Sequence, residues 1–352
     1  MRNVAMKTSL LGAAAAAIWL LAAASPASAD GFDRFKKAIE PQIPAGALSY
    51  KSGKALGDNG FELDDVVITP PADADKSAKP QPIKVKAITV ERLDFDAIEK
   101  QQPPLFAKVK FDGVTTGSNA AGFDVKQMTG LDNLAADFGL DYALDPDKKT
   151  LTLKRLELNL NGLAKLESSF VLDGVSADAA AKPDAAMNDA SLKTADLIYD
   201  DHSLLSIALP IGAAMTGTGD PKVLVATAIA YLDGARADQG KAAQKAIDSL
   251  VAYVEDWHKP KGPLKIVLNP PGKVSNADLS NAKTADDIVK LLGLEVSYAG
   301  TRVSKPGETA PPNVGDASDK ASTAKAGAKD VPAKEDEDAD DADKKTLDKK
   351  KN

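Results

Sequence analysis

Two stretches of the chain carry the same interrupted alternation of apolar and polar positions. Residues 88–96 read ITVERLDFD and residues 151–159 read LTLKRLELN. Ile88 and Val90 alternate, then Leu93 and Phe95; Leu151 and Leu153 alternate, then Leu156 and Leu158. A strand points every second side chain to the same face, so this spacing predicts β-structure. The steps from Val90 to Leu93 and from Leu153 to Leu156 are one residue too long. One face stays apolar only if the extra residue is absorbed. A β-bulge does this, and it bends and twists the strand. Both stretches share Thr-x-x-Arg-Leu, and each is followed, at nearly the same distance, by Asp-Gly-Val at 112–114 and at 173–175. The pair reads as a duplication that builds two long bent strands.

Alternating segments at 106–111 (FAKVKF) and 163–172 (LAKLESSFVL) supply a hydrogen-bonded neighbour for each copy. Their polar positions predict antiparallel pairing with one wet face. Further strands are expected at 61–69, 83–85, 192–199, 264–268 and 294–298. Turn signals at Pro70-Pro71, Pro270-Pro271-Gly272 and Gly300 bound several of them. The expected fold class is α+β: a large, curved, mainly antiparallel sheet with an internal strand repeat and an inserted helical pair.

The pair itself lies within an insert at about 203–257. Asp220 as N-cap and Pro221 at the first helical position start one helix. Leu224, Ala228 and Tyr231, with Val225, Ile229 and Leu232, form its apolar stripe, and Gly234 is expected to end it. Asp238 is expected to cap the next, where Ala243, Ile247, Leu250, Val254 and Trp257 recur at helical spacing. Two helices so closely joined pack antiparallel. A short helix is expected from Thr284, with Asp287 as its capping-box partner, to Leu292 before Gly293. Another, carrying Phe32, Phe35 and Ile39, ends at Pro41. Residues 203–215 (SLLSIALPIGAAM) are the most apolar run beyond residue 30, read as a buried core helix, with shallow membrane insertion as the alternative.

The ends of the chain differ from this body. Arg2 and Lys7 precede an apolar run at 10–24, and Ala27-Ser28-Ala29 presents small residues where a signal peptidase reads them. The order and lengths are those of a signal peptide cleaved after Ala29, which directs export to the periplasm. Cleavage removes two positive charges and no acidic residue, taking the net charge from −7 to −9. An acidic chain does not favour nucleic acid or anionic lipid headgroups through bulk electrostatics. No later apolar run reaches the roughly 20 residues of a spanning helix, so no transmembrane anchor is expected after cleavage. The folded domain is expected over 30–300. Residues 301–352 read as a disordered charged tail: from residue 302 on there are 11 Lys/Arg and 12 Asp/Glu and no aromatic residue. Such a segment buries too little apolar surface to offset an ordering entropy of roughly 1–2 kcal/mol per residue. Its acidic block at 335–343 lacks the mid-loop glycine and terminal glutamate of an EF-hand.

Candidate chemistry is sparse. The absence of cysteine excludes disulfides, thiolate metal sites, cysteine nucleophiles and a lipoprotein anchor. Asp201-His202-Ser203 contains the residue types of a triad, but triads are assembled from separate elements, and a helix cap explains Asp201 or Ser203 better. His258 follows Trp257 at a helix end, where a cation suits the helix dipole. Gly217-Thr218-Gly219 lacks the Lys-Ser/Thr of a phosphate loop. Asp94, Asp96 and Asp141 are carboxylates without a recognisable pairing. No catalytic, metal-binding or cofactor-binding residue is therefore assigned, and no cofactor is expected.

Bent strands with an L-x-L-x-x-L-x-L rhythm followed by Asp-Gly-Val resemble, in pattern, the periplasmic AsmA-like and YdgA-like envelope proteins. The run LKIVLNPPGKV, a capped helix and LGLEVSYAG (264–300) is similar to the end of such proteins. The resemblance covers roughly residues 50–300, and the Ala-rich signal suggests an alphaproteobacterial source. It implies envelope homeostasis or the handling of lipid or other apolar molecules, and assigns no residue a role. The chain departs from the AsmA type in lacking a retained anchor, which puts a bridging role between membranes in doubt. The resulting expectation is a non-enzymatic periplasmic protein binding or carrying a lipid or other apolar ligand. The alternatives are a structural or interaction protein with an envelope partner, and a hydrolase using scattered carboxylates or His202.

Overall fold

The computed structural model describes residues 30–70, 81–115, 126, 134–176 and 190–307. The expected signal peptide and most of the expected tail, including the acidic block, lie outside the described residues.

Eleven strands form one antiparallel sheet that does not close: β1 (Leu48–Ser49), β2 (Ser52–Ala55), β3 (Phe61–Ile68), β4 (Ile83–Leu93), β5 (Phe106–Thr115), β6 (Ala135–Asp145), β7 (Thr150–Leu160), β8 (Ala164–Asp173), β9 (Ser191–Asp201), β10 (Leu264–Leu268) and β11 (Leu294–Ser297). From β3 onward each strand pairs with the next in sequence, while β1 and β2 both pair with β3. The expected bulges are present. The β4–β5 register shifts between Val90 and Arg92, and the β7–β8 register between Leu153 and Leu156. The fold class is thus as the sequence pattern predicts.

Because of those bulges one face is apolar from end to end. Phe61, Val90, Val109, Leu140, Leu156, Ser168, Leu197, Ile266 and Val296 lie in one row from β3 to β11, with Ser168 the only hydroxyl. The next row is Leu93, Ala107, Tyr142, Leu153, Phe170, Ala195, Leu268 and Leu294. Both copies of the repeat face the same way. The opposite face is charged. There Arg92, Lys108, Asp141 and Arg155 form a row, so that the repeated arginines flank one aspartate. The glycines of the two Asp-Gly-Val landmarks both adopt positive φ, 61° at Gly113 and 83° at Gly174. At Gly113 the β5–β6 register shifts, and a Cβ would approach that of Lys86 to 3.0 Å. Glycine supplies this backbone conformation at least cost.

The first copy departs from the expected nine-residue strand. It ends at Leu93, and Asp94 caps helix α2 (Phe95–Glu99), after α1 (Gly31–Arg34) at the chain's described start. The strand β6 was not expected: its apolar positions Phe138, Leu140, Tyr142 and Leu144 alternate, but Asp137, Gly139 and Asp141 between them are poor strand formers. The helix α1 continues through a π turn and a 3₁₀ turn to Gln42, just past Pro41. Between β9 and β10 stand α3 (Leu204–Met215), α4 (Pro221–Arg236) and α5 (Lys241–Glu255). Asp220 caps α4 as expected, but the helix runs through Gly234 to Arg236. Arg236 reaches Asp248 on α5 with two bonds of 2.9 and 3.0 Å, which anchors that last turn. Gly240, not Asp238, is the N-cap of α5; Asp238 has a φ of 64° in the turn before it. A short helix α6 (Asn276–Asn281) precedes α7 (Ala285–Leu292), whose Thr284–Asp287 capping box and left-handed Gly293 match the sequence signals.

The core is divided. Phe35, Phe61, Leu63, Val66, Val85, Ile88, Val90, Leu93, Phe95, Ile98 and Ala107 form one buried cluster over β3–β5. A smaller one joins α4 and α5 through Ile229, Ile247 and Val251. The described residues also run past the boundary expected at residue 300. The Arg302 guanidinium is buried against Asp233 at 2.6 Å and Asp248 at 2.9 Å. Glu255 accepts the backbone N–H groups of Val303 and Ser304.

Candidate ligand-binding face

The apolar face has three zones. At one end, α1, the turns after it and α2 cover β3–β5, and Phe35 stacks on Phe61 with ring centroids 4.5 Å apart. At the other, α5 packs on β11, and Tyr253 meets Tyr199 and Tyr298 edge-on at 6.1 and 5.1 Å. Between them lie β6 to β9. Their side chains on this face include Phe138, Leu140, Leu144, Leu156, Leu158, Leu166, Phe170 and Leu197, and every one of these is only partly buried or exposed. Leu158 is 37% exposed. Leu153, next to the covered zone, is buried.

Each side chain of this kind hidden from water is worth about 1.5–3 kcal/mol. A sheet face that keeps several of them half-exposed forgoes that stabilisation. No charged residue occupies either row between β6 and β9. The hydroxyl of Tyr142, at the covered edge, donates to the Pro104 carbonyl at 3.0 Å. Burial, reinforced by the Asp94 carboxylate, pushes its pKa up to about 12.

The chemistry-bearing residues lie elsewhere, in structural roles. Asp94 accepts from the N–H groups of Ala97 and Leu105, both at 3.1 Å. Asp96 is exposed and meets Arg34 at 2.5 Å, which lowers its pKa. Asp141 pairs with Arg92 at 2.6 Å on the charged face. Asp201 is buried; it accepts from the Tyr199 hydroxyl at 2.7 Å and from the Leu205 N–H at 3.0 Å. His202 turns to solvent, its Nε2 lying 3.6 Å from Asp200, and the Ser203 hydroxyl donates to the Gly162 carbonyl. The three residues form no relay. His258 is exposed and stacks on buried Trp257. Gly217 and Gly219 take positive φ in the loop before the Asp220 cap, where Thr218 donates to the Ala213 carbonyl. Among the described residues no cluster of three or more His, Asp or Glu is placed to hold a metal ion.

The helix α3 overturns one expectation. Only Ala213 of it is buried, so the most apolar segment is not a core helix. It covers α4 on one side, where Leu224 lies 3.4 Å from the position of a Cβ on Gly212, and leaves its other side open. The partly open strands β6–β9 were the one component of the face that sequence periodicity could have shown more fully, through the alternation in β6.

Residues 157–299, from the last three residues of the second copy of the repeat through β11, match the model of a family described as an uncharacterized protein. No curated protein matches the chain.

Proposed function

We propose that the chain is an exported, non-enzymatic periplasmic protein that holds a lipid or similar extended apolar molecule on the open β6–β9 face. The observation that carries this is the continuity of the two apolar rows under helical cover at both ends, with Leu156, Leu158, Leu166 and Phe170 left partly exposed between. The signal-like start supports export, and among the described residues no helix is long and apolar enough to cross a membrane.

The test uses the chain from Asp30 onward and a fluorescent fatty-acid probe. The wild type binds the probe and releases it to unlabelled phospholipid. Leu158→Asp, which places a charge on a side chain already partly in water, lowers probe affinity by roughly tenfold, the cost of losing one well-buried methyl-rich contact in the complex. A wild type that never binds the probe, and that shows only bare polypeptide by native mass spectrometry after periplasmic purification, removes the proposal. Fractionation of cells checks export separately.

A further inference from the structure

The sequence between His202 and Asp220 contains no charged residue, and the structure forms most of it into α3. Leu204, Ala208, Ile211 and Met215 recur at four-, three- and four-residue steps, so they share one side of the helix. Ala208 and Met215 on this side are exposed, Met215 by 71%, Leu204 and Ile211 are partly buried, and Ala213, on the opposite side, is buried. On α4, Tyr231 is 79% exposed and stands two turns beyond Leu224, on the same side of that helix. An amphipathic ring of this kind is favoured where one end is apolar and the other wet.

Two lysines and two histidines border the stripe. The Ser206 hydroxyl donates to the His258 carbonyl at 3.1 Å, which sets exposed His258 and Lys259 beside the first turn of α3. His202 is exposed directly before that turn, and Lys222 is exposed beyond the other end. Acids stand there too: Asp200 lies 3.6 Å from His202 Nε2, Asp256 pairs with Lys261 at 3.0 Å, and Asp220 accepts the Lys222 N–H as a helix cap. The chain's net charge is −7, so attraction to an anionic surface would be local to this edge.

We propose that α3 docks the protein on a bilayer containing anionic phospholipid, its Leu204–Met215 side entering the headgroup boundary and Lys259 and Lys222 meeting headgroups. An uncharged apolar helix with an exposed side can bury that side at a headgroup boundary, and lysines beside it attract anionic lipid. The position fits transfer of a lipid. The helix begins where β9 ends, and the Leu163 carbonyl accepts from the N–H groups of His202, Ser203 and Leu204 at the margin of the apolar face. The docking stands without the carrier reading, because a peripheral helix needs no bound ligand.

The chain has no cysteine, so a single Met215→Cys can carry an environment-sensitive dye without background. Both buried clusters lie wholly beyond Asp30, so the chain from Asp30 keeps its core and lacks the apolar leader. Vesicles of phosphatidylcholine with phosphatidylglycerol should shift the dye emission to the blue, while a dye at Lys84→Cys, on an exposed charged position, should not respond. Ala208→Asp, at a position already in solvent, should raise the lipid concentration needed by about tenfold. Lys259→Glu should raise it by about tenfold on the anionic vesicles, since it both removes and reverses a charge, and by little on pure phosphatidylcholine. Far-UV circular dichroism checks that each variant is folded, and the Lys259 variant leaves the apolar side untouched. No emission change with either vesicle, or an Ala208→Asp variant that binds like the wild type, overturns the docking. Dye insertion together with failed fatty-acid binding would retain the docking and remove the carrier.

Discussion

The two copies of the repeated strand start alike and end differently. In each, a threonine, a bulge and an arginine bring apolar side chains to the same face of the sheet. At the eighth position the first copy has Phe95 and the second has Leu158. Phe95 is 0% exposed and Leu158 is 37% exposed. In the first copy Asp94 breaks the strand, caps α2 and turns Phe95 back over the sheet. In the second, Glu157 continues the strand, pairs with Arg155 at 2.6 Å and Lys165 at 3.2 Å, and leaves its neighbour in the open. One copy has become a closed core and the other an uncovered surface. The divergence begins at the residue after the shared arginine and leucine, aspartate in one copy and glutamate in the other, and the strand before it is common to both.

The largest effect expected from this contrast is on stability. Phe95→Ala empties a fully buried site among Phe61, Leu93 and Ile98, and should cost about 3–5 kcal/mol in chemical denaturation. Leu158→Ala removes a side chain that the fold leaves partly in water, and should cost under about 1 kcal/mol. Equal losses at the two positions would mean that the second copy is as closed as the first, and the contrast would fail.

Alkaline pH probes the seam between them. Tyr142 stands in the row that joins Leu93 and Ala107 of the closed zone to Leu153 of the second copy. Burial and the nearby Asp94 raise its pKa to about 12, against about 10 in the unfolded chain. A raised folded pKa makes its contribution whole below pH 10. That contribution falls as pH rises toward 12, by an amount on the order of 2 kcal/mol. Tyr50, raised to about 12 by burial and its bond to Glu40, loses its share over the same range. Denaturation midpoints at pH 9 and pH 11.5 should therefore converge in part for Tyr142→Phe, and further when Tyr50→Phe is added. An unchanged pH dependence in the double variant would place the alkaline sensitivity elsewhere.

Much of this architecture is legible in the residue pattern, because it depends on local spacing. The two bulges follow from three-residue steps between apolar positions, and the Thr284–Asp287 box from side chains three residues apart. Other features depend on partners distant in sequence. Arg302 sits in a stretch whose composition is that of a solvated tail, yet its guanidinium meets Asp233 and Asp248. Averaging over the tail hides one residue that pairs with distant acids. The exposure of α3 is likewise invisible in its own composition: apolar content predicts burial only when another surface is available to cover it. The open face needed both kinds of information. Periodicity defines its apolar side, but only the pairing order shows that the helical covers stop short of β6–β9.

The smallest effect tests how the first copy closes. Asp94 is buried and satisfies two N–H groups, those of Ala97 and Leu105, as well as starting α2. Asp94→Ala leaves both donors without that acceptor in a water-poor place, and should cost about 1–2 kcal/mol. Glu157, its counterpart, lies in a network with the more exposed Arg155 and Lys165, where removal of one member should change stability by under about 1 kcal/mol. The sharper outcome is local. If the cap is what folds Phe95 over the sheet, hydrogen exchange in Asp94→Ala should accelerate first at Ala97, Ile98 and Leu105, ahead of the β7–β8 amides. Uniform acceleration across both copies would instead show that the turn at Asp94 follows from the packing of Phe95, and that the aromatic side chain, not the carboxylate, closes the first copy.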